Sequence, residues 1–248
     1  MKLDEALIQD LIAGKYAFID AGCASGASID HCQRRFGRGR GLGLDWYQGD
    51  LNVARNNGFD VALCNLLEQE WPERCVEFVS MVCFLEHLPD KTAAVKLLER
   101  AGRSSRDFLF VRHPSFDEID YLAGFGLKFG WTDWSSHSNM MTTDDFRRIF
   151  AVFGWNDYAI LPHMGYPDSS HASIVPISAP RDTEVYDEVA HGPKPFVTFD
   201  HTIYAKFDIF VRLNPEFSKH SWQRIANIEG WEGTWEHPTG DSLLSSDR

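Results

Sequence analysis

The sequence predicts an α/β protein in which buried parallel strands alternate with amphipathic helices. An apolar run at 16–21 continues into a glycine-containing turn, and a helix is predicted to follow over Ala27–Phe36. A second strand is predicted at Gly41–Asp45 and ends in an acid. Further apolar runs, with helical patterns after them, follow at 61–65, 78–84 and 107–112. Because strands and helices alternate in this way, we expect three layers, with helices on both faces of one sheet.

Composition narrows the class of protein further. A length of 248 residues suits one domain with additions, and a formal net charge of −12 argues against a protein that follows nucleic-acid phosphates. No apolar run is long enough to span a bilayer, and the amino terminus lacks the apolar core of a signal peptide. The five cysteines form no C-x-x-C pair, which favours reduced thiols. We therefore expect a cytoplasmic protein that binds neither nucleic acid nor membrane.

The turn after the first strand carries small residues at alternate positions. Asp20, Gly22, Ala24 and Gly26 form the pattern acidic-x-Gly-x-small-x-Gly, with Cys23 inside it. The dinucleotide fingerprint G-x-G-x-x-G is matched at only one of its three glycine positions. Small residues let the backbone approach a ligand closely, and the following helix offers unpaired N–H groups. The turn therefore indicates a nucleotide-type ligand and fits a dinucleotide poorly; an ordinary small turn of an α/β protein is the alternative.

At this turn the chain resembles the class I S-adenosylmethionine-dependent methyltransferases, although Ala24 stands where the family usually has glycine. A second stretch, VCFLEHLPD at 82–90, resembles the family's segment after strand four. The resemblance covers about residues 14–178. It implies a Rossmann-like, mostly parallel seven-stranded sheet that ends in a C-terminal antiparallel hairpin, which we expect at 158–162 and 172–177. It also implies S-adenosylmethionine as cofactor, S-adenosylhomocysteine as product and a small-molecule acceptor.

The cofactor site is expected at the carboxyl edge of the sheet. Asp45 ends strand two, where a carboxylate meets ribose hydroxyls in nucleotide-binding α/β folds. Trp46 could cover the adenine ring or simply pack. The resemblance adds the backbone of the glycine turn and places further residues near the cofactor. The complete expected set is Asp20, Gly22, Cys23, Ala24, Gly26, Asp45, Trp46, Asn65, Leu66, Cys83 and Phe84.

Methyl transfer to a hydroxyl or an acidic nitrogen needs a group that removes a proton, and histidine suits this role near neutral pH. His113 is our first candidate because it follows a central strand at the ligand edge, and His87 is the second. His137, which closes an aromatic segment, is the third. None of the ten histidines has H-x-x-x-H spacing, so no metal site is expected.

Two segments depart from the minimal fold. Residues 115–141 form an aromatic insertion, which we interpret as a lid or substrate wall; a surface pad or an oligomer contact is the alternative. Residues 179–248 are assigned to a C-terminal extension, with a β-hairpin or pair of strands at 196–213, a short helix at 218–228 and a loose polar tail from Gly240. The sequence leaves open whether the protein forms a homo-oligomer.

Two other functions fit part of the pattern. A non-catalytic S-adenosylmethionine-binding protein would explain Ala24, which departs from the family motif. An NAD(P)-dependent oxidoreductase could use a similar sheet, but its glycine spacing fits poorly and it leaves the Glu-His-Leu run unexplained. We therefore expect a small-molecule methyltransferase with a histidine base.

Overall fold

A seven-stranded sheet forms the centre of the protein in the computed structural model, which describes residues 2–37 and 39–217. The strands of the described residues are, in chain order, β1 (Phe18–Ala21), β2 (Gly41–Asp45), β3 (Asp60–Leu63), β4 (Val76–Val82), β5 (Ser105–Pro114), β6 (Leu127–Phe129), β7 (Tyr158–Asp168), β8 (Ile174–Pro176) and β9 (Thr198–Arg212). The helices are α1 (Glu5–Ile12), α2 (Ala27–Phe36), α3 (Gln48–Asn56), α4 (Lys91–Ser104), α5 (Ile119–Gly124), α6 (Thr143–Phe153) and α7 (Glu188–His191).

The strand order of the main sheet is β3-β2-β1-β4-β5-β9-β7. The first five strands in this order are parallel, and β9 runs antiparallel to both of its neighbours. The chain reverses direction in the sheet order at β1, so the carboxyl ends of β1 and β4 flank the crevice where open α/β sheets bind ligands. The predicted fold class, a mostly parallel seven-stranded sheet with a C-terminal antiparallel pair, is confirmed.

The strand that completes this pair is not the one we expected. Residues 172–177 contain only the short strand β8, which pairs with β6 in a separate two-stranded sheet. The partner of β7 is β9, a single long strand rather than the hairpin or strand pair expected at 196–213. Residues 208–211 of β9 are buried between β5 and β7, whereas β8 is only three residues long. The main sheet thus takes a strand from beyond residue 178, while the helix expected at 218–228 and the tail from Gly240 lie outside the described residues.

Alternate residues of the strands face two separate apolar layers. Ile19, Val79 and Leu109 pack with α4 and α6 on one face, and Phe18, Phe78 and Phe108 pack with α2 on the other. On the second face the three phenylalanines stack across neighbouring strands, with ring centroids 4.7 Å and 4.6 Å apart. Stacked aromatic pairs on adjacent strands stabilise their register. The register in turn fixes where each strand ends at the ligand edge.

A buried charged cluster joins α2 to the antiparallel part of the sheet. The Asp208 carboxylate accepts two hydrogen bonds from the Arg112 guanidinium, at 2.6 and 2.8 Å, and one from Arg35 at 2.6 Å. The side chain of Asp208 is 7% exposed, so the three charges form an ion-pair network inside the protein. The Arg35 guanidinium also lies over the rings of Phe110 and Phe210. The cluster therefore ties β9 to β5 and α2.

The aromatic insertion packs above the antiparallel part of the main sheet. Its strand β6 pairs with β8, and Leu127 and Phe129 of β6 form a third apolar cluster with Ile203 and other residues of β7 and β9. Trp131 donates its indole N–H to the carbonyl of Ser115, which closes the base of the insertion. No helix in 2–37 or 39–217 is long and apolar enough to cross a membrane.

Candidate active site

The glycine turn has the backbone conformation that its sequence requires. Gly22 and Gly26 both have positive φ, at 76° and 94°, and Gly26 directly precedes α2. A Cβ at Gly26 would lie 2.5 Å from the ring of Phe59, and a Cβ at Gly22 would lie 2.1 Å from the ring of Phe84. Side chains are therefore excluded at both positions by conformation and by space.

Asp20 acts on this turn from beneath the surface. Its carboxylate is fully buried and accepts hydrogen bonds from the hydroxyl groups of Ser28 on α2 and Ser80 on β4. Burial raises the pKa of Asp20 to about 6 even though the two hydroxyl groups favour its charged form. Asp20 thus fixes β1, the start of α2 and β4 relative to one another and does not itself line a cavity.

Asp45 connects the end of β2 to the glycine turn. Its Oδ1 atom accepts the backbone N–H groups of Trp46 and Tyr47, at 2.7 and 2.9 Å, and its Oδ2 atom accepts that of Ala24 at 2.9 Å. A carboxylate oxygen has two lone pairs, so Oδ2 can accept one further hydrogen bond. Trp46, directly after it, is 73% exposed.

A cavity of about 680 Å³ opens beside these groups at the carboxyl edge of the sheet. Of the residues expected at the cofactor, Trp46, Asn65, Leu66 and Phe84 line it. The remaining lining residues come from strand ends, the segment after β4 and the insertion. They are Leu63, Cys64, Leu67, His87, Leu88, Pro89, Ser136 and Ser138, and of these only His87 was expected at the site, as a catalytic residue.

The other expected cofactor residues, Asp45 and those of the glycine turn included, are not among the residues that line this cavity. Phe84 packs on Gly22 and also lines the cavity, so its ring covers the first glycine of the turn. Cys23 is buried, with its sulfur against Gly43. Cys83 has a positive φ of 49° and donates its backbone N–H to the carbonyl of Arg112. Cys23 and Cys83 therefore shape the site without lining the cavity.

Two histidines lie in contact beside the cavity, and His87 lines it. A 3₁₀ turn at Leu85–His87 exposes His87, and its ring centroid lies 4.9 Å from that of His137 in the insertion. His87 Nδ1 lies 3.0 Å from the carbonyl oxygen of Ser136, and His137 Nδ1 lies 2.9 Å from that of Trp131. A carbonyl only accepts, so both Nδ1 atoms carry a proton, and in the neutral ring Nε2 presents a lone pair.

His113 and Glu86 lie next to this pair but inside the protein. His113 is 1% exposed and donates Nδ1–H to the carbonyl of Pro114 at 2.8 Å, while its Nε2 lies 3.9 Å from Oε2 of Glu86. Burial lowers the pKa of His113 to about 4 and raises the pKa of Glu86 to about 8. Both groups are therefore neutral at pH 7, and their contact is not an ion pair. The fold brings all three expected histidines together and adds Glu86, to which the sequence analysis gave no role.

Comparison with known proteins agrees with this geometry. Residues 19–109 match the family model described as the methyltransferase domain, and this stretch contains the glycine turn, Asp45 and the Glu86-His87 segment. This match supports a class I S-adenosylmethionine-dependent methyltransferase. No curated protein sequence matches the chain.

Two solved methyltransferases share the fold over most of their length. One is an S-adenosylmethionine-dependent methyltransferase from Archaeoglobus fulgidus, at 16% identity and a TM-score of 0.55; the match covers 84% of this chain and 93% of that one. The other is a possible histamine N-methyltransferase from Thermotoga maritima, at 13% identity and a TM-score of 0.51, covering 84% and 89%. At such identities the likeness concerns the fold alone.

The residues of this methyltransferase fit its cofactor, S-adenosylmethionine. Trp46, Leu66 and Leu67 contribute apolar side chains to the cavity wall, which suits a flat adenine ring, and Asp45 Oδ2, which accepts the N–H of Ala24, can accept a further hydrogen bond. Phe84 lies over Gly22, and its ring is only partly buried. Asp45, Trp46 and Leu66 are thus the groups we expect to hold the nucleoside.

Substitution of Asp45 by alanine is expected to weaken binding of S-adenosylhomocysteine. The change removes the charge-assisted acceptor for the ribose and releases the Ala24 N–H, at about 1.5–3 kcal/mol, or roughly 10- to 150-fold in the dissociation constant. Calorimetric titration checks this, with Asp50→Ala on α3 as the control because Asp50 also carries a carboxylate near the site. Equal affinity of wild type and Asp45→Ala would contradict the assignment.

Substitution of Ala24 by glycine is expected to be tolerated. Ala24 has a φ of 42°, where an L side chain is strained by about 1 kcal/mol and glycine is not. The extra chain entropy of glycine offsets part of this gain, so we expect an unfolding free energy between unchanged and about 1 kcal/mol higher. Urea unfolding measures the difference; a loss of more than about 1 kcal/mol would show that the methyl group packs favourably.

Proposed function

We propose that this methyltransferase transfers the methyl group of S-adenosylmethionine to a small-molecule acceptor bound beside His87. The observation that carries the proposal is that one cavity runs from Trp46 and Leu66, at the nucleoside end, to His87, Ser136 and Ser138. A cofactor bound along it would direct its methyl group toward the histidine end, where an acceptor can bind. Bound cofactor supplies an electrophilic methyl group on a sulfonium.

The acceptor end has the features of a small-molecule site. Ser136 and Ser138 reach it from the aromatic insertion, so the insertion forms a wall across the carboxyl edge. A cavity of about 680 Å³ lies within the range that holds drug-sized ligands. The net charge of −12 disfavours nucleic-acid acceptors. The substrate-wall interpretation of 115–141 thus gains support over a surface pad.

We assign removal of the acceptor's proton to His87. It is exposed in the cavity wall, its Nδ1–H is held by Ser136, and its Nε2 lone pair is available. His113, our first candidate from sequence, is buried and does not line the cavity. His87 Nε2 would accept the acceptor's proton as the new bond to the methyl carbon forms opposite the breaking bond to sulfur. Trp46 and Phe84 would shield the sulfur, the methyl carbon and the acceptor atom from water.

We also propose that the protein is cytoplasmic, and we leave open whether it forms a homo-oligomer. All five cysteines are free thiols in the structure, which suits a reducing compartment and supports our expectation of the cytoplasm. Exposed apolar side chains such as Phe196 leave a homo-oligomer open. Neither point bears on the chemistry at His87.

The proposal is tested with cofactor carrying a labelled methyl group. Purified protein and a cell extract are incubated with it, and label is measured separately in the small-molecule and macromolecular fractions. We expect label in small molecules, much less of it with Asp45→Ala at the same cofactor concentration, and no saturable NADH binding. Label in nucleic acid or protein would exclude a small-molecule acceptor. S-Adenosylhomocysteine binding without label in any fraction would support the non-catalytic alternative that Ala24 raised.

A further inference from the structure

We propose that Glu86, His87 and His137 bind one divalent transition-metal ion at the acceptor end of the cavity. One potential ligand atom from each of the three lies within 4.8 Å of those of the other two. Two imidazole nitrogens and one carboxylate oxygen are the ligand set of many catalytic Zn²⁺ and non-haem Fe²⁺ sites. No sequence pattern indicates this set, because its members come from two distant segments.

The two imidazoles are already oriented as metal-binding histidines usually are. Each donates Nδ1–H to a backbone carbonyl, of Ser136 for His87 and of Trp131 for His137. This contact fixes the tautomer and leaves Nε2 unprotonated, and metal-bound histidines almost always have such a partner on the other nitrogen. The rings also lie within 4.9 Å of each other, centroid to centroid. The two rings thus lie in contact, and in each of them Nε2 is not used by the bond to the carbonyl.

Two buried polar atoms give an independent indication of a ligand. Oε2 of Glu86 and Nε2 of His113 have no hydrogen-bond partner among the described residues, although Glu86 and His113 are each 1% exposed. Buried polar atoms without partners are rare because losing their hydration costs free energy. A cation beside Glu86 would give its carboxylate a partner.

Metal binding would require the three ligand groups to move slightly closer together, and it would leave one coordination position of the ion open. Ligand atoms on a tetrahedral ion lie roughly 3–3.5 Å apart, so the three groups must approach by an ångström or so. His87 is exposed and its turn is short, so its ring can make this movement. Because His87 lines the cavity, the open position of the ion would face the acceptor.

The chemical role of the ion rests on the proposed function, whereas its binding does not. An ion at this place would hold an acceptor hydroxyl and lower its pKa, so that the proton leaves to solvent before the methyl group arrives. His87 Nε2 would then be a ligand rather than the base. The metal-loaded and metal-free forms thus deprotonate the acceptor by different groups.

The test is direct metal binding. Chelator-treated protein is titrated with Zn²⁺ by calorimetry and with Co²⁺ by visible absorption, in parallel with S-adenosylhomocysteine. We expect one equivalent of each ion per chain and ligand-field bands typical of four- or five-coordinate Co²⁺. His137→Gln and His87→Gln should each weaken binding at least about 100-fold, since loss of a ligand costs more than the roughly 10- to 100-fold seen when a residue that only orients a ligand is lost. His201→Gln, whose ring lies between Asp200 and Glu118 on the surface, should bind as wild type does.

Two results would overturn the inference. One is the absence of saturable Zn²⁺ and Co²⁺ binding by wild type; the other is unchanged affinity in His87→Gln, which alters an exposed position and is not expected to unfold the protein. The parallel titration separates this failure from that of the proposed function. Retained metal binding without S-adenosylhomocysteine binding would count against the methyltransferase and leave the ion site in place.

Discussion

Replacement of His87 by glutamine is expected to slow methyl transfer about 10²–10⁴-fold, the usual contribution of general acid–base catalysis. Glutamine can still donate to the carbonyl of Ser136 but has no basic lone pair. Cofactor affinity should stay within about twofold, because the nucleoside end of the cavity is unaffected. Rates are measured on the acceptor found by label transfer, together with calorimetry of S-adenosylhomocysteine.

A matched histidine distinguishes this effect from a general one. His171 is exposed, stacks on Tyr166 and does not line the cavity, so His171→Gln should keep the wild-type rate. Equal rates for His87→Gln and wild type would remove His87 from the reaction. A loss of cofactor affinity equal to the loss of rate would instead indicate that His87 supports the pocket.

Replacement of Asp208 by alanine is expected to lower the unfolding free energy by about 3–5 kcal/mol. The change leaves the guanidinium groups of Arg35 and Arg112 buried beside each other without their shared carboxylate. Urea unfolding followed by tryptophan fluorescence measures the loss. Asp60→Ala is the control, since the Arg40–Asp60 pair lies on the surface and exposed pairs contribute about 0–1 kcal/mol.

The cluster of Asp208, Arg112 and Arg35 also makes the unfolding free energy depend on pH. Burial raises the pKa of Asp208, but the hydrogen bond and charge of Arg112 and the charge of Arg35 outweigh it and hold the pKa below 3.8. The stabilisation from Asp208 is therefore fully present above the ordinary carboxyl range and is lost as the pH falls through the lowered pKa. In Asp208→Ala this acid-dependent part should disappear. An unfolding free energy equal to that of wild type would show that water reaches the arginines.

Much of the site followed from the sequence because parallel strands end at one edge. The glycine turn, Asp45, Asn65, His87 and His113 each follow a predicted strand, and adjacency of the strand ends brings them together. The position of Phe84 over Gly22 did not follow, since a side-chain direction depends on the turn that carries it. The inward direction of Glu86 likewise depends on the 3₁₀ turn at Leu85–His87.

Strand pairing in the last third of the chain was the main error. Residues 172–177 and 198–212 both have apolar residues suited to strands, and no local signal says which of them joins the sheet. Pairing depends on cross-strand packing, here of Phe110 on β5 against Phe210 on β9, with ring centroids 5.0 Å apart. Such contacts exist only in the tertiary structure.

The position of β9 has a consequence for synthesis of the protein. Because β9 pairs with both β5 and β7, neither strand can complete its hydrogen bonds until Arg212 has left the ribosome. Until then the nascent chain carries two open sheet edges, and open apolar edges pair readily with other chains. Translation of the stretch between β7 and β9 is therefore the period in which the chain most needs protection from aggregation. Formation of the sheet ends when β9, the last of its strands to be synthesised, pairs with β5 and β7.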